Sequence, residues 1–273
     1  MIDRYAVIGN PVAHSKSPQI HTLFAHENGQ DIEYGRLLAP LEGFRETMER
    51  FRAEGGRGLN VTVPFKEEAF RLVTVHSERA RAAESVNTLR FDADVIFGDN
   101  TDGAGLVRDI RSNLGVAIAG RSILLLGAGG AARGVIGLLL AEDPSELTIA
   151  NRNVERARVL ERHFAPHSGT SVRASTYGAL SGGRFDIVVN ATSAGLTGAL
   201  PPLPGGVFSV GSLAYDMMYG TELTPFLEWA RGEGAGRTAD GLGMLIEQAA
   251  ESFFVWRGIR PRTANAFASL RAG

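Results

Sequence analysis

Short apolar runs alternate with helical patterns along most of this chain. "YAVIG", "IEYGRLL" and "GLNVTV" read as strands. Between them, "SPQIHTLFAHE" and "GFRETMERFRAE" carry the helical period, the former with Ser17 as N-cap and Pro18 at its first position. Pro64 ends the third strand, and short helical stretches follow around Lys66 to Leu72 and Ser77 to Ala82. "SVNTLRF" and "DVIFGDN" form a paired-strand element. Strands separated by helices predict a parallel sheet built from βαβ units.

The pattern restarts near Asp102, with "DGAGLVRDIRSNLG" as a linking helix. "SILLLG", "ELTIAN", "FDIVVNAT" and "SLAYDMM" are strands, and "GAARGVIGLLLAED", "VERARVLERHF" and "TPFLEWARGEG" are helices. "GALPPLPGG" is a Pro/Gly-rich loop and "GLGMLIEQAAESFFVWRG" a long terminal helix. The fold class expected is α/β in two domains, divided near Asp102. The run "SILLLGAGGAARGVIGLLLA" has the length of a membrane span, but Arg133 and its glycines favour a buried strand leading into a buried helix.

Composition narrows the function classes. The 273 residues are 44% hydrophobic and 21% charged, with a net charge of −2, so no basic field points to nucleic acid. Cysteine is absent, which excludes disulfides and thiolate chemistry and fits a reducing, cytoplasmic setting. "MIDRYAVIGN" lacks the pattern of a secretory signal. No metal site and no membrane partner are expected.

"LLLGAGGAA" places Gly127, Gly129 and Ala132 in G-x-G-x-x-A spacing between a strand and a helix, where a backbone can approach a pyrophosphate. An NAD site would carry an acid at the end of the next strand. Here stand Asn151 and Arg152, with Arg156 one helical turn on. A carboxylate repels a 2′-phosphate and guanidiniums clamp it, so NADP is the expected cofactor.

In the first domain, Ser15, Ser17, Asn60, Thr62, Lys66, Asn87, Asn100 and Asp102 stand near element ends. Such a set suits a small polyhydroxylated acid. Lys is otherwise written only at Lys16, every other cation being Arg. Lys can release a proton and Arg cannot, so Lys66 is a candidate acid/base.

"GNPVAHSKSP", "NVTVPFKEEA", "SVNTL", "GDNTDGAG", "GAGGAAR", "NATSAG", "YDMMYGTELTPF" and "DGLGMLIEQAA" together closely resemble the successive motifs of the shikimate dehydrogenase family, nearly end to end. The resemblance implies an NADP-dependent oxidoreductase of aromatic amino-acid biosynthesis, reducing 3-dehydroshikimate to shikimate, as a monomer or homodimer. It implies a substrate domain over 1–102, completed by a helix at 242–273, facing a Rossmann-type NADP-binding domain over 103–241 across a cleft. Lys66 would be the acid/base and Asp102 its partner. Ser15, Ser17, Thr62, Asn87, Asp102, Tyr219 and Gln248 would hold the substrate, with Asn60 beside them. Gly127, Ala128, Gly129, Gly130 and Ala131, and the stretch of Asn151, Arg152, Asn153 and Arg156, would hold the cofactor. Thr192, Met217, Gly241 and Met244 would line the nicotinamide side, with Glu78 a further cofactor-side candidate.

Thr22, Asn153, Glu84 and Ser85 depart from the usual pattern; only Asn153 touches the proposed chemistry, at the phosphate contact. A broader quinate/shikimate dehydrogenase shares this scaffold, though Ser17 favours the smaller shikimate. A non-catalytic NADP-sensing module is disfavoured by intact Lys66 and Asp102. Methylenetetrahydrofolate dehydrogenase has a similar plan but leaves "HSKSP" and "YDMMYGTELTPF" unexplained.

Overall fold

The computed structural model describes residues 2–192, 194 and 199–271. Ser193 and Gly195 of "NATSAG", and Gly198 of the Pro/Gly-rich loop, lie outside the described residues. The chain divides into two compact units: one runs to Gly105 and resumes at Leu245, and the other spans Leu106–Met244. These divisions come slightly later than the pattern suggests, because a helix crosses each of them.

The first unit contains β1 (Asp3–Gly9), α1 (Ser17–Glu27), β2 (Ile32–Leu38), α2 (Phe44–Ala53), β3 (Gly56–Val61), α3 (Lys66–Leu72), β4 (Val75–His76), α4 (Glu78–Ala83), β5 (Thr88–Asp92) and β6 (Val95–Asp99). α5 (Asp102–Arg108) leads out of it. The strand order is β2-β1-β3-β5-β6-β4. The sheet is mixed rather than parallel: β5 runs antiparallel to both β3 and β6. The β5–β6 hairpin causes this, since a tight turn can only join antiparallel strands.

Both faces of this sheet are covered. Ala6, Ile8, Leu59 and Val61 point into one apolar cluster, while Tyr5, Val7, Tyr34 and Trp256 form a layer on the opposite face. Trp256 comes from the terminal helical segment and donates Nε1–H to the Leu89 carbonyl at 2.9 Å. A Cβ on Gly58 would stand 2.6 Å from that nitrogen, so glycine is required for the ring to seat.

The second unit contains β7 (Ser122–Leu126), α6 (Gly130–Leu140), β8 (Glu146–Ala150), α7 (Val154–Phe164), β9 (Ser171–Ser175), β10 (Phe185–Asn190), β11 (Phe208–Asp216), α8 (Pro225–Gly232) and β12 (Arg237–Ala239). α9 (Leu242–Arg257) starts there and continues into the first unit, followed by α10 (Ala264–Arg271). All strands are parallel, in the order β12-β11-β10-β7-β8-β9. This is the doubly wound dinucleotide-binding order, whose direction reverses between β7 and β10. Ile123 and Leu125 face one cluster, Leu124 and Leu126 the other, so the strand is apolar throughout rather than alternating.

Besides the mixed sheet, three further sequence expectations change. Ser17 is the first helical residue of α1 rather than its cap; Lys16 holds the cap position with no side-chain bond, and Pro18 is second. The Ser15 hydroxyl satisfies the Ser17 N–H instead, at 3.3 Å. The linking helix changes to a π turn at Asp109–Asn113. β4, β9, β12 and α10 have no counterpart in the sequence reading. Among the described residues no helix is long and apolar enough to cross a membrane.

His21 is fully buried on α1, stacked 4.4 Å from Tyr34 at 7°. Neither ring nitrogen has a hydrogen-bond partner among the described residues. Burial holds its pKa down at about 3, with the Asn60 side chain offsetting only part of the effect. The unfolded chain therefore binds a proton below pH ~6.5 that the folded chain refuses. Stability should be complete above that pH and fall by about 1.4 kcal/mol per unit below it, down toward the folded pKa. Urea unfolding between pH 7 and pH 4 (roughly the window between the two pKa values) should show a shallower pH slope for His21→Phe than for the wild type. Parallel slopes would remove His21 from the account.

Candidate active site

Strand register assembles the polar cluster of the first unit. Asn60 on β3 lies opposite Thr88 on β5, and Thr88 lies opposite Asp99 on β6. Asn87 therefore precedes β5 at the level where Asn100, Thr101 and Asp102 follow β6. These positions adjoin the carboxyl ends of β3 and β6, where open α/β sheets place ligands.

Lys66 is the first residue of α3, and its carbonyl accepts from the Val86 N–H at 2.9 Å. Its Nζ donates to Asp102 Oδ2 at 2.6 Å, with the lysine side chain 17% exposed and the aspartate 6%. Asn87 Nδ2 donates to the other oxygen of Asp102 at 2.8 Å and to Thr101 Oγ1 at 2.9 Å. Gln248 on α9 offers Oε1 to the same amide at 3.3 Å. The amide of Asp102 itself is bound by Asn100 Oδ1 at 3.1 Å, which anchors the start of α5.

Asn60 is buried, and its amide is engaged within the protein. Oδ1 accepts from the Tyr34 hydroxyl at 2.7 Å, and Nδ2 reaches Ser252 Oγ at 3.0 Å and Thr88 Oγ1 at 3.3 Å. Ser15 Oγ donates to Ser17 Oγ at 3.1 Å just before α1, and Thr62 is half-buried after β3. Tyr34, Thr88, Thr101 and Ser252 join this network without having been singled out in the sequence. Thr88 sits inside "SVNTL", directly after Asn87; Ser252 is separated from its partners by most of the chain.

The second unit carries the cofactor candidates. Gly127 ends β7 with φ +103°, and a Cβ there would lie 3.2 Å from the Ala191 backbone. Glycine is thus required by the fold at this turn. Gly129 and Gly130 differ: a Cβ on either would meet nothing within 4 Å. α6 begins there with no side-chain cap and no acid in its first turn, leaving backbone N–H groups open to an anion. Ala128 and Ala131 are partly buried beside these glycines.

After β8, Arg152 and Arg156 are exposed at the start of α7. Asn153 is the N-cap, its Oδ1 accepting from the Glu155 N–H at 3.1 Å, and Asn151 Nδ2 donates to the Asn153 carbonyl at 2.8 Å. Thr192 follows β10, held through Asn190 Oδ1 at 2.7 Å. Asn190 in turn donates to Asp216 at 3.1 Å. Burial raises the Asp216 pKa, opposed by its bonds from Thr224, the Met218 amide and Asn190.

Met217 donates its N–H to the Asn190 carbonyl at 2.9 Å, and a Cβ on Gly241 would fall 2.2 Å from the Met217 carbonyl. Met244 donates its N–H to the Tyr215 hydroxyl at 3.2 Å, which donates to Asp109 at 2.7 Å. Tyr219 also lies in this unit, after β11, whereas the other substrate candidates lie in the first. Glu78 stands exposed at the start of α4 in the first unit, away in sequence from the other cofactor candidates. Among the described residues no cluster of His, Asp and Glu is arranged to hold a metal ion.

Comparison with known proteins shows the family. Residues 7–89 match the family model "Shikimate dehydrogenase substrate binding domain", residues 109–197 "Shikimate / quinate 5-dehydrogenase", and residues 241–265 "Shikimate 5'-dehydrogenase C-terminal domain". The chain is 60% identical over 272 residues to the shikimate dehydrogenase (NADP(+)) of Nitrosospira multiformis, covering 100% of this chain and 98% of that one. It is 59% identical to the enzyme of the same name from Dechloromonas aromatica, with the same coverage of 100% and 98%. A crystal structure of shikimate 5-dehydrogenase from Thermus thermophilus, in complex with NADP(H) and shikimate, superposes with a TM-score of 0.86 at 30% identity over 99% of each chain. This chain belongs to the shikimate dehydrogenase family.

Proposed function

We propose that the protein catalyses the reversible NADPH-dependent reduction of 3-dehydroshikimate to shikimate. The observation that carries the reading is the Lys66–Asp102 pair, seated at strand ends among hydroxyls and amides. A broader activity on quinate is the alternative, decided by turnover on the two substrates.

The residues of the second unit fit NADP. Gly129 and Gly130 leave room that the protein itself does not use, next to an uncapped helix start. Arg152 and Arg156 are exposed cations where an NAD site would place an acid. Gly127 to Ala131 would receive the pyrophosphate, Asn151 to Arg156 the 2′-phosphate side, and Thr192, Met217, Gly241 and Met244 the nicotinamide side. When bound, NADPH supplies the hydride that reduces the ketone carbon.

The chain's own residues manage the charge and the proton. As the ketone is reduced, negative charge grows on its oxygen, and protonated Lys66 donates a proton to it. In the oxidising direction neutral Lys66 takes the proton from the substrate hydroxyl. Asp102 fixes the ammonium through one oxygen, and Asn87 holds the other. Thr62, Asn87 and Gln248 would meet substrate hydroxyls, Asn87 by sharing an N–H that it gives to Thr101 or Gln248, while Ser15 and Ser17 would receive the carboxylate, with Tyr219 a further substrate contact.

Four substitutions at three positions test these roles. Lys66→Ala should lower kcat by ~10²–10⁴-fold with little change in cofactor affinity, and Lys66→Arg should be nearly as poor. Near-normal turnover by the arginine variant, read by NADPH absorbance, would contradict proton transfer at this position. Arg152→Asp should weaken NADPH binding by roughly ten- to a hundredfold, the worth of one charged hydrogen bond, and leave NADH nearly unaffected. Equal losses for both cofactors would refute the 2′-phosphate assignment. Gly129→Val should leave the melting temperature nearly unchanged while weakening NADPH binding at least about tenfold, since its side chain fills only the ligand's space. Unaltered affinity in calorimetry would exclude this turn from the cofactor site.

A further inference from the structure

This inference rests on the shikimate reading of the first unit and adds a residue to it. The substrate carries a carboxylate, and hydroxyls bind such a group without neutralising it. Lys66 is already matched by Asp102 at 2.6 Å, so that pair brings no net charge. Lys16 lies between the two serines, yet its side chain makes no hydrogen bond or ion pair among the described residues.

Arg36 is placed differently. It stands two residues after Tyr34 on β2, so both side chains leave the same face of the strand. Its Nε and Nη2 donate to the Ser15 carbonyl at 3.1 and 2.5 Å. A carbonyl uses two of the guanidinium's N–H groups and none of its charge, leaving further donors and the full positive charge beside the serine pair. α1 adds no acid in its first turn and no side-chain cap. Burial pushes the Tyr34 phenol well above its ordinary pKa, opposed by a hydrogen bond with Ser17 and then by the charge of Arg36.

We propose that Arg36 determines specificity for an anionic substrate. Its guanidinium neutralises the carboxylate seated on Ser15 and Ser17, and its clamp on the Ser15 carbonyl sets where the Ser15 hydroxyl points. A neutral analogue of the same shape gains nothing from the charge.

Arg36→Gln keeps a donor for the Ser15 carbonyl and loses the charge, whereas Arg36→Lys keeps the charge. kcat/KM is measured for shikimate and for its methyl ester at low ionic strength, with wild type and both variants. A unit charge a few ångströms from an exposed anion is worth about 3- to 10-fold. Arg36→Gln should lower the acid-to-ester ratio by that factor, chiefly through the KM of the acid, and Arg36→Lys should restore most of it. An unchanged ratio overturns the proposal, whether both compounds lose equally, as a purely structural clamp requires, or neither loses. Calorimetric Kd values for the acid and the ester carry the same comparison without turnover. A wild-type chain that bound shikimate but failed to oxidise it would count against the proposed function, and the Kd ratio would still decide Arg36.

Discussion

Asn87 presents one amide to several elements at once. Its oxygen accepts from the Thr101 N–H at 2.8 Å and from the Thr88 hydroxyl at 2.9 Å. With both lone pairs taken, the amide cannot turn over without orphaning buried donors, which costs ~1–3 kcal/mol for each. Its N–H groups are therefore aimed at Asp102 and Thr101. Asp102 is left with one oxygen for Lys66, and the direction of the ammonium follows from that. The direction of the Lys66 ammonium thus depends on a hydrogen-bond count completed by Thr88 and Thr101.

The second unit meets its constraint through backbone rather than side chains. Its strand order reverses between β7 and β10, so the turns after these strands diverge and leave a crevice. Gly127 is fixed by the Ala191 backbone, whereas Gly129 and Gly130 face open space. The same motif thus holds one glycine that the fold requires and two beside space that the protein does not fill. The Asn190–Asp216–Thr224 bonds then hold the segments after β10 and β11, which carry Thr192 and Met217.

Much of this was legible in the sequence, for physical reasons. The long apolar strands β7, β8 and β10 announce themselves because both of their faces are buried, and the glycine turn because close backbone approach tolerates few residues. Short elements escaped: β4 has two residues and β12 three, too few to display a period. Ser17 reads as a cap from local chemistry, but its hydroxyl is taken up by Ser15, two residues away. Thr88 and Ser252 escaped for the opposite reason. Their roles come from a register between β3 and β5 and from a helix far along the chain, and no local pattern encodes either.

Two buried aspartates in the first unit are met by different cations, Asp102 by Lys66 and Asp99 by Arg79. Asp99 meets Arg79 with both oxygens, Nε and Nη2 each at 2.6 Å, and Arg79 reaches Glu251 as well at 2.9 Å. That planar fork binds side by side and holds its proton permanently, which suits a structural tie. Asp102 is met differently: Asn87 donates to Oδ1 and the Lys66 ammonium to Oδ2. The compact ammonium donates to Oδ2 and, unlike a guanidinium, belongs to a group that can release a proton. The same acidic side chain thus meets a fork that keeps its proton at one position and an ammonium able to release one at the other, and the difference lies in the cation rather than in the carboxylate.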